Sequence, residues 1–187
     1  MLNYNSPIKE NKNYSDLTIK EIYPVMKLNI RGKKREFFTN VGKILNMILP
    51  TEANTSTTSD KLTSIWLSPD EWMIFTNDIV EKDNNIYELE NLLFSSISKN
   101  NIGSISDVTD QFVMINLEGE KIFDLLSSGC PFNFNEFNKK KGSSTQTILN
   151  HIDVIIHHKN INSINLFVRR SFSEHLWAWM NDAASRL

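Results

Sequence analysis

Cysteine is almost absent from this sequence: Cys130 is the single example in 187 residues, so a disulfide within the chain is excluded. One thiol is typical of a reducing compartment. Long apolar runs are also missing, and none approaches the roughly 20 residues that a membrane-spanning helix needs. The N-terminal MLNYNSPIKENKNYSD lacks the apolar centre of a signal peptide. These absences predict a cytoplasmic protein with no membrane partner.

An excess of either charge is missing as well. Lys and Arg total 20 and Asp and Glu total 22, which gives a net charge of -2. Nucleic-acid-binding proteins usually carry a clear positive excess, so no nucleic-acid partner is predicted. The hydrophobic fraction of 40% and the charged fraction of 22% are ordinary for a globular protein. At this length the chain is one domain or two small fused ones.

Motifs of several enzyme classes do not occur. No G-x-G-x-x-G follows a strand, and neither a P-loop nor a G-x-S-x-G elbow is present. The four histidines are His151, His157, His158 and His175. His157 and His158 are adjacent on a predicted strand and point to opposite faces, so they cannot hold one metal together. We predict no catalytic residue and no metal site, and we interpret Cys130 as a small buried residue.

The most informative stretch that is present is 107–126, DVTDQFVMINLEGEKIFDLL. Residues 112–117 are apolar on both alternating faces, which predicts a strand covered on both sides. Glu118-Gly119 predicts a turn, because glycine adopts positive φ readily. Ile122, Phe123, Leu125 and Leu126 then follow helical spacing up to Gly129. A strand that leads into a helix across a glycine turn favours an α/β or α+β fold.

The remaining pattern predicts two similar halves. The first reads β-α-β-β-α: strand 22–30, helix 37–48, strand 62–67, a single helical turn at 68–71, strand 72–75 and helix 83–98. The second reads β-α-β-β-β-α, and its last helix is capped by Ser171 with Glu174. We predict an α+β fold of two related split-βαβ (ferredoxin-like) units, mostly antiparallel sheets with helices packed on one face. The predicted halves are 21–102 and 103–187, after a flexible arm at 1–20.

Cations and tryptophans provide the candidate binding residues. Arg169 and Arg170 lie between a predicted strand and a helix N-terminus, which suits either a carboxylate or phosphate site or an inter-chain ion pair. Trp177 and Trp179 are two apart on a helix, so both cannot face one core. Large aromatic residues are common at protein interfaces. Trp177, Trp179, Arg169, Arg170 and Trp72 are therefore the predicted partner contacts.

Several motifs together resemble a known family. They are WLSPDEWMIF (66–75), DVTDQFVMINLEGEKIFDLLSSGCPFN (107–133), QTILNHIDVII (146–156) and LFVRRSFSEHLWAWMNDA (166–183). In this order and spacing, over about residues 20–185, they resemble the gamma subunit of heterotetrameric, bacterial-type sarcosine oxidase. The strand-turn-helix at 107–126 is also similar to the T-protein group of folate-binding aminomethyltransferases.

The resemblance implies a non-catalytic structural subunit. The enzyme of that family oxidatively demethylates sarcosine to glycine and hydrogen peroxide, and passes a one-carbon unit to tetrahydrofolate. The resemblance implies that FAD, FMN, NAD and tetrahydrofolate belong to the alpha and beta subunits, and that a small delta subunit carries zinc. The expected partners are therefore the alpha, beta and delta subunits, with no cofactor in this chain.

Asp153 is the one candidate for a folate contact. T-protein-like enzymes handle folate with an acidic residue in a Gly-Gly-x-x-Asp-Asp-type loop. The matching region here, 150–154, is Asn-His-Ile-Asp-Val, which has one acid and no glycine pair. A structural role for Asp153 is favoured, because side chains in place of glycines keep the backbone away from a pterin.

Three hypotheses follow. The favoured one is a non-catalytic subunit of sarcosine oxidase. The alternative is a stand-alone folate-binding protein or aminomethyltransferase-like one-carbon enzyme. The third is a similar adaptor that serves a dehydrogenase for another N-methylated amine.

Overall fold

The computed structural model describes residues 4–8 and 10–187, and the chain divides into two compact units. The first unit is Val25–Thr109, and the second combines the described residues up to Pro24 with Asp110–Leu187. The first unit is thus an insertion in the sequence of the second. This division differs from the predicted halves 21–102 and 103–187, because an N-terminal strand pairs in the second unit.

Within the described residues the chain forms eleven strands and five α-helices. The strands are β1 (Lys12–Tyr14), β2 (Leu17–Ile22), β3 (Lys27–Arg31), β4 (Ser56–Thr58), β5 (Leu62–Ser68), β6 (Glu71–Thr76), β7 (Ser104–Asp107), β8 (Phe112–Glu118), β9 (Ser144–Leu149), β10 (Ile152–Asn160) and β11 (Ser163–Arg169). The helices are α1 (Arg35–Leu45), α2 (Glu88–Leu93), α3 (Ile122–Ser127), α4 (Phe134–Phe137) and α5 (Arg170–Ala184), and α2 continues as the π-helix Phe94–Ser98. None of these helices is long and apolar enough to cross a membrane.

The two sheets share one topology. The first unit has the order β4-β5-β6-β3-β7, and the second has β1-β2-β8-β11-β10-β9. In each sheet a central strand, β3 or β8, is followed by a helix and then by a meander of three strands. The last strand of the meander pairs with one edge of the central strand, and a further strand pairs with the other edge. That last position is filled by β7 in the first unit and by the N-terminal β2 in the second. All pairs between these strands are antiparallel, and the predicted α+β fold class is confirmed.

The core of the first unit lies between its sheet and its helices. Helical spacing places Phe37, Val41 and Leu45 on one buried stripe of α1. Trp72 of β6 packs on this stripe, and its indole Nε1 donates a hydrogen bond of 2.8 Å to the Pro50 carbonyl. A buried tryptophan with a satisfied N–H contributes both apolar area and orientation to a core.

The sheet of the second unit is buried on one face by α3 and α5. Val113, Ile115 and Leu117 of β8 point to that face, together with Val154, Ile156, Leu166 and Val168 of the neighbouring strands. The alternate residues point to the opposite face. There, register places Asn165 of β11 between Asn116 and His157, and all three are buried. Buried polar side chains thus form a row across this face.

Two tight turns meet beside β8. Gly119 adopts φ +132° and donates its N–H to the Asn162 carbonyl at 3.0 Å. The Asp16 carbonyl, from the turn between β1 and β2, accepts the Lys121 N–H at 3.2 Å. A Cβ at Gly119 would lie 2.0 Å from that Asp16 oxygen. Glycine is therefore required here both for its φ angle and for space.

The N-terminal residues depart from the prediction. Part of the predicted flexible arm 1–20 forms strands β1 and β2, while residues 1–3 and 9 of the arm lie outside the described residues. Leu17 and Ile19 alternate with polar residues and are buried, which is the strand pattern. The predicted strand 22–30 is two strands of different units, separated by Pro24.

Helix ends also differ from the prediction. The first helix ends at Leu45, where Asn46 takes φ +50°. The second begins at Glu88 rather than Asp83. The predicted helical turn at 68–71 is instead the hairpin between β5 and β6. The cap predicted at Ser171 does not form, because α5 begins at Arg170, whose carbonyl accepts a bond from the Ser173 hydroxyl.

Candidate functional site

A cavity of about 500 Å³ lies at one end of the sheet in the second unit. Ligand-binding cavities in proteins commonly have volumes of 300–1,000 Å³. Eight residues line it: Phe112, Gln146, Thr147, Ile148, Asp153, Val154, Ile155 and Arg169. All of them belong to β8, β9, β10 and β11, so rigid strands position the site.

Strand register explains why these residues meet. Arg169 of β11 is directly opposite Phe112 of β8, and Asp153 of β10 is directly opposite Ile148 of β9. Val154 and Val168 are paired and belong to the core face, so the next residues, Asp153 and Arg169, share the other face. One row across the sheet end therefore carries Ile148, Asp153, Arg169 and Phe112.

The two charged residues of this row are adjacent, opposite in sign and exposed. Within residues 4–8 and 10–187 neither Asp153 nor Arg169 forms an ion pair. A guanidinium binds a carboxylate through two parallel hydrogen bonds, and a carboxylate accepts bonds from cations or N–H groups. The row therefore offers one donor group and one acceptor group to an occupant of the cavity.

The rest of the lining is largely apolar. Ile155 is buried and Phe112 is half-buried, while Ile148 on the edge strand β9 remains 39% exposed. An apolar surface beside a few directed polar groups is typical of a binding site. Among the described residues no group of three His, Cys, Asp or Glu side chains is arranged to hold a metal. The arrangement is suited to binding through charge and apolar contact.

Two of the predicted partner contacts are corrected by the structure. Trp72 is buried in the first core, and Trp177 is buried against the second sheet. Both side chains are buried within the chain itself. The ring of Trp179 packs directly over Gly129. The side chain is half-buried, so part of it is exposed to solvent. Trp179 and Arg169 remain predicted contacts.

Arg170 is used within the chain. Its guanidinium lies over the Tyr4 ring, 4.8 Å from the centroid, and donates to the Asn5 carbonyl. The Tyr4 hydroxyl in turn donates to Glu21, and burial together with this carboxylate raises the pKa of Tyr4. The predicted anion site at Arg169 and Arg170 is therefore divided, because consecutive residues at a strand-to-helix junction point in different directions.

None of the four histidines is among the lining residues, and neither is Cys130, although Cys130 contacts the lining residue Thr147. His157 and His158 are buried on opposite faces of β10, as predicted from their adjacency. The His158 Nδ1 lies 3.0 Å from the Lys140 carbonyl. Cys130 is buried, with Sγ 3.6 Å from the Thr147 hydroxyl.

Six of the eight lining residues were not among the predicted site residues, and three of these six, Phe112, Ile148 and Ile155, are apolar and share the face of Asp153 and Arg169. Their apolar side chains indicate a sheet core when the strand is considered alone. The available signal was pairing: once Asp153 and Arg169 are placed on neighbouring strands, alternation puts these three on the same face.

Comparison with known proteins identifies relatives of the chain. A model of the sarcosine oxidase, gamma subunit family matches residues 32–186. A chain of the heterotetrameric sarcosine oxidase from Corynebacterium sp. U-96, solved with pyrrole 2-carboxylate, is similar over 91% of this chain and 84% of its own, with a TM-score of 0.80 and 21% identity. Aminomethyltransferase T of the glycine cleavage system from Bartonella henselae is similar over 88% of this chain and 45% of its own, with a TM-score of 0.62 and 14% identity. At these identities both likenesses concern the fold. No curated protein sequence matches the chain.

Proposed function

The chain belongs to the sarcosine oxidase gamma subunit family, and we propose that it is a non-catalytic subunit of a heterotetrameric sarcosine oxidase. In this role it supplies contact surface to the alpha, beta and delta subunits. FAD, FMN, NAD and tetrahydrofolate, together with the groups that oxidise sarcosine, belong to those partners. The observation that carries the proposal is the family match over residues 32–186.

Two further observations support this role. The fold is shared, over 91% of this chain, with a chain of a heterotetrameric sarcosine oxidase. The cavity carries a guanidinium, a carboxylate and apolar side chains, which are groups for binding. His157 and Cys130 are buried, and neither is one of the eight lining residues.

Coexpression of the chain with the alpha, beta and delta subunits from the same source tests the proposal. We expect a single complex on size exclusion that contains this chain and releases hydrogen peroxide from sarcosine. The isolated chain should release none. A complex of the other three subunits that is complete and active while this chain elutes alone would contradict the proposal.

Tetrahydrofolate binding is the second candidate function, and the position of Asp153 on the cavity favours it. The neighbouring turn does not fit a pterin loop of the T-protein type. Asn150 and His151 occupy it at φ +48° and +65°, so side chains are present where that loop has glycines. Asn150 also contacts His175 and donates its N–H to the Gly129 carbonyl.

Titration of the isolated chain with tetrahydrofolate separates the two candidates. We expect no saturable change in tryptophan fluorescence, because the turn keeps its side chains between the backbone and a ligand. Saturable binding that Asp153→Asn weakens at least tenfold would favour the folate function instead. Asp182→Asn, on the exposed surface of α5, is the matched control.

A further inference from the structure

The proposed function leaves open which surface of this chain meets a partner. Resting on that function, we propose that the cavity at the end of the second sheet is the docking surface for an extended segment of a partner subunit. The segment places an acidic side chain on Arg169, an N–H or cationic group on Asp153, and apolar side chains against Ile148 and Phe112 at the two ends of the row.

Charge is the first step of the argument. Asp153 and Arg169 lie one position beyond the paired Val154 and Val168 on neighbouring strands, and both line the cavity. Neither forms an ion pair in the described part of the chain. Surface charges of opposite sign at such positions usually contact each other. Two opposite charges that do not pair with each other are complementary to a partner that carries the inverse pair.

Apolar exposure is the second step. Ile148 exposes 39% of its surface directly beside Asp153, and Phe112 lies directly beside Arg169. The row therefore runs apolar, acidic, basic, apolar across the four strands. Apolar contacts next to polar groups that fix the register are the usual composition of a protein interface.

Size and openness favour a peptide segment over a small ligand. A volume of about 500 Å³ holds several side chains. Ligand pockets bury most of their ligand, whereas Asp153, Arg169, Gln146 and Ile148 are all exposed at the rim. An extended segment satisfies such a rim, because its alternate side chains repeat about every 6.7 Å and two repeats span the roughly 14 Å across four strands.

The test uses the complete complex. Arg169→Glu and Ile148→Asp are coexpressed separately with the alpha, beta and delta subunits, and affinity is measured by dissociation on dilution. We expect each variant to raise the dissociation constant at least tenfold. Arg169→Glu reverses a charge in the interface, and Ile148→Asp buries a carboxylate without a partner.

Matched controls lie at the other end of β10 and in the turn that joins it to β11. Lys159→Glu reverses an exposed cation of β10, and Ile161→Asp places a charge at an isoleucine that is 81% exposed. Both should leave the dissociation constant within twofold. Thermal unfolding of each isolated variant confirms that the chain still folds.

The outcomes separate this inference from the proposed function. If the wild-type chain does not assemble, the proposed function fails. If it assembles and the cavity variants dissociate like the controls, only the docking surface is overturned. Tetrahydrofolate binding that depends on Asp153 would also overturn it, because the cavity would then belong to a small ligand.

Discussion

Gly119→Ala should lower the free energy of unfolding by about 4 kcal/mol, which is among the largest effects expected of a single substitution. The added Cβ would lie 2.0 Å from the Asp16 carbonyl oxygen, which is backbone and also accepts the Lys121 N–H. The φ of +132° is strained for any side chain. Urea denaturation followed by circular dichroism measures the change.

Gly42→Ala is the control for that variant. Gly42 lies within α1, where an added Cβ comes no closer than 3.4 Å to the Met47 carbonyl oxygen. Alanine is the better helix former by about 1 kcal/mol, so this variant should be neutral or slightly stabilised. Equal destabilisation of both variants would show that the close approach at the turn beside β8 is not the cause of the loss of stability in Gly119→Ala.

Acidification from pH 7.5 to pH 5 should lower the free energy of unfolding by about 2 kcal/mol through His157 alone. The side chain is 3% exposed, and burial lowers its pKa to about 3, with His158 and Lys159 acting in the same direction. An unfolded histidine has a pKa near 6.5, so the unfolded chain binds the proton first. The stabilisation is therefore complete above about pH 7 and is lost as pH falls from 6.5 towards 3.

His157→Gln should remove this dependence, while His151→Asn should retain it. His151 is exposed and sits at φ +65°, a conformation that asparagine tolerates. The unfolding measurements are confined to pH 5 and above, so that protonation of Asp107 does not add to the effect of His157. Burial opposes the shift, but bonds from Lys82 and Thr109 outweigh it and lower the pKa of Asp107, so its contribution is lost only in stronger acid. An unchanged pH slope in His157→Gln would contradict the assignment.

Local patterns in the sequence predicted the central strand, its glycine turn and the following helix correctly. In 107–126 the apolar alternation, the glycine and the helical spacing all agree, and each depends on near neighbours. The strand β2 was missed for the opposite reason. The sequence LTIKEI is half polar, and its partner β8 is separated from it in the sequence by the whole inserted unit. A strand stabilised by distant pairing has a weak local signal.

The candidate site shows the same limit. Arg169 and Asp153 were each identified by residue type, but as parts of different sites. Their shared row depends on the register of β10 and β11. Trp72 and Trp177 were misjudged because a tryptophan suits an interface and a core equally well. Arg170 could not be separated from Arg169, since the contact with Tyr4 joins residues far apart in the chain.

The insertion of Val25–Thr109 between β2 and β8 determines the order in which a ribosome delivers the two units. Nascent chains emerge at about 5–20 residues per second, and domains generally fold as units during synthesis. The inserted unit is continuous and is complete before β8 leaves the exit tunnel. Strand β2, with Leu17 and Ile19, emerges earlier still and remains unpaired with β8 until β8 is synthesised. A nascent-chain chaperone would therefore find its longest-lived target at the N-terminus.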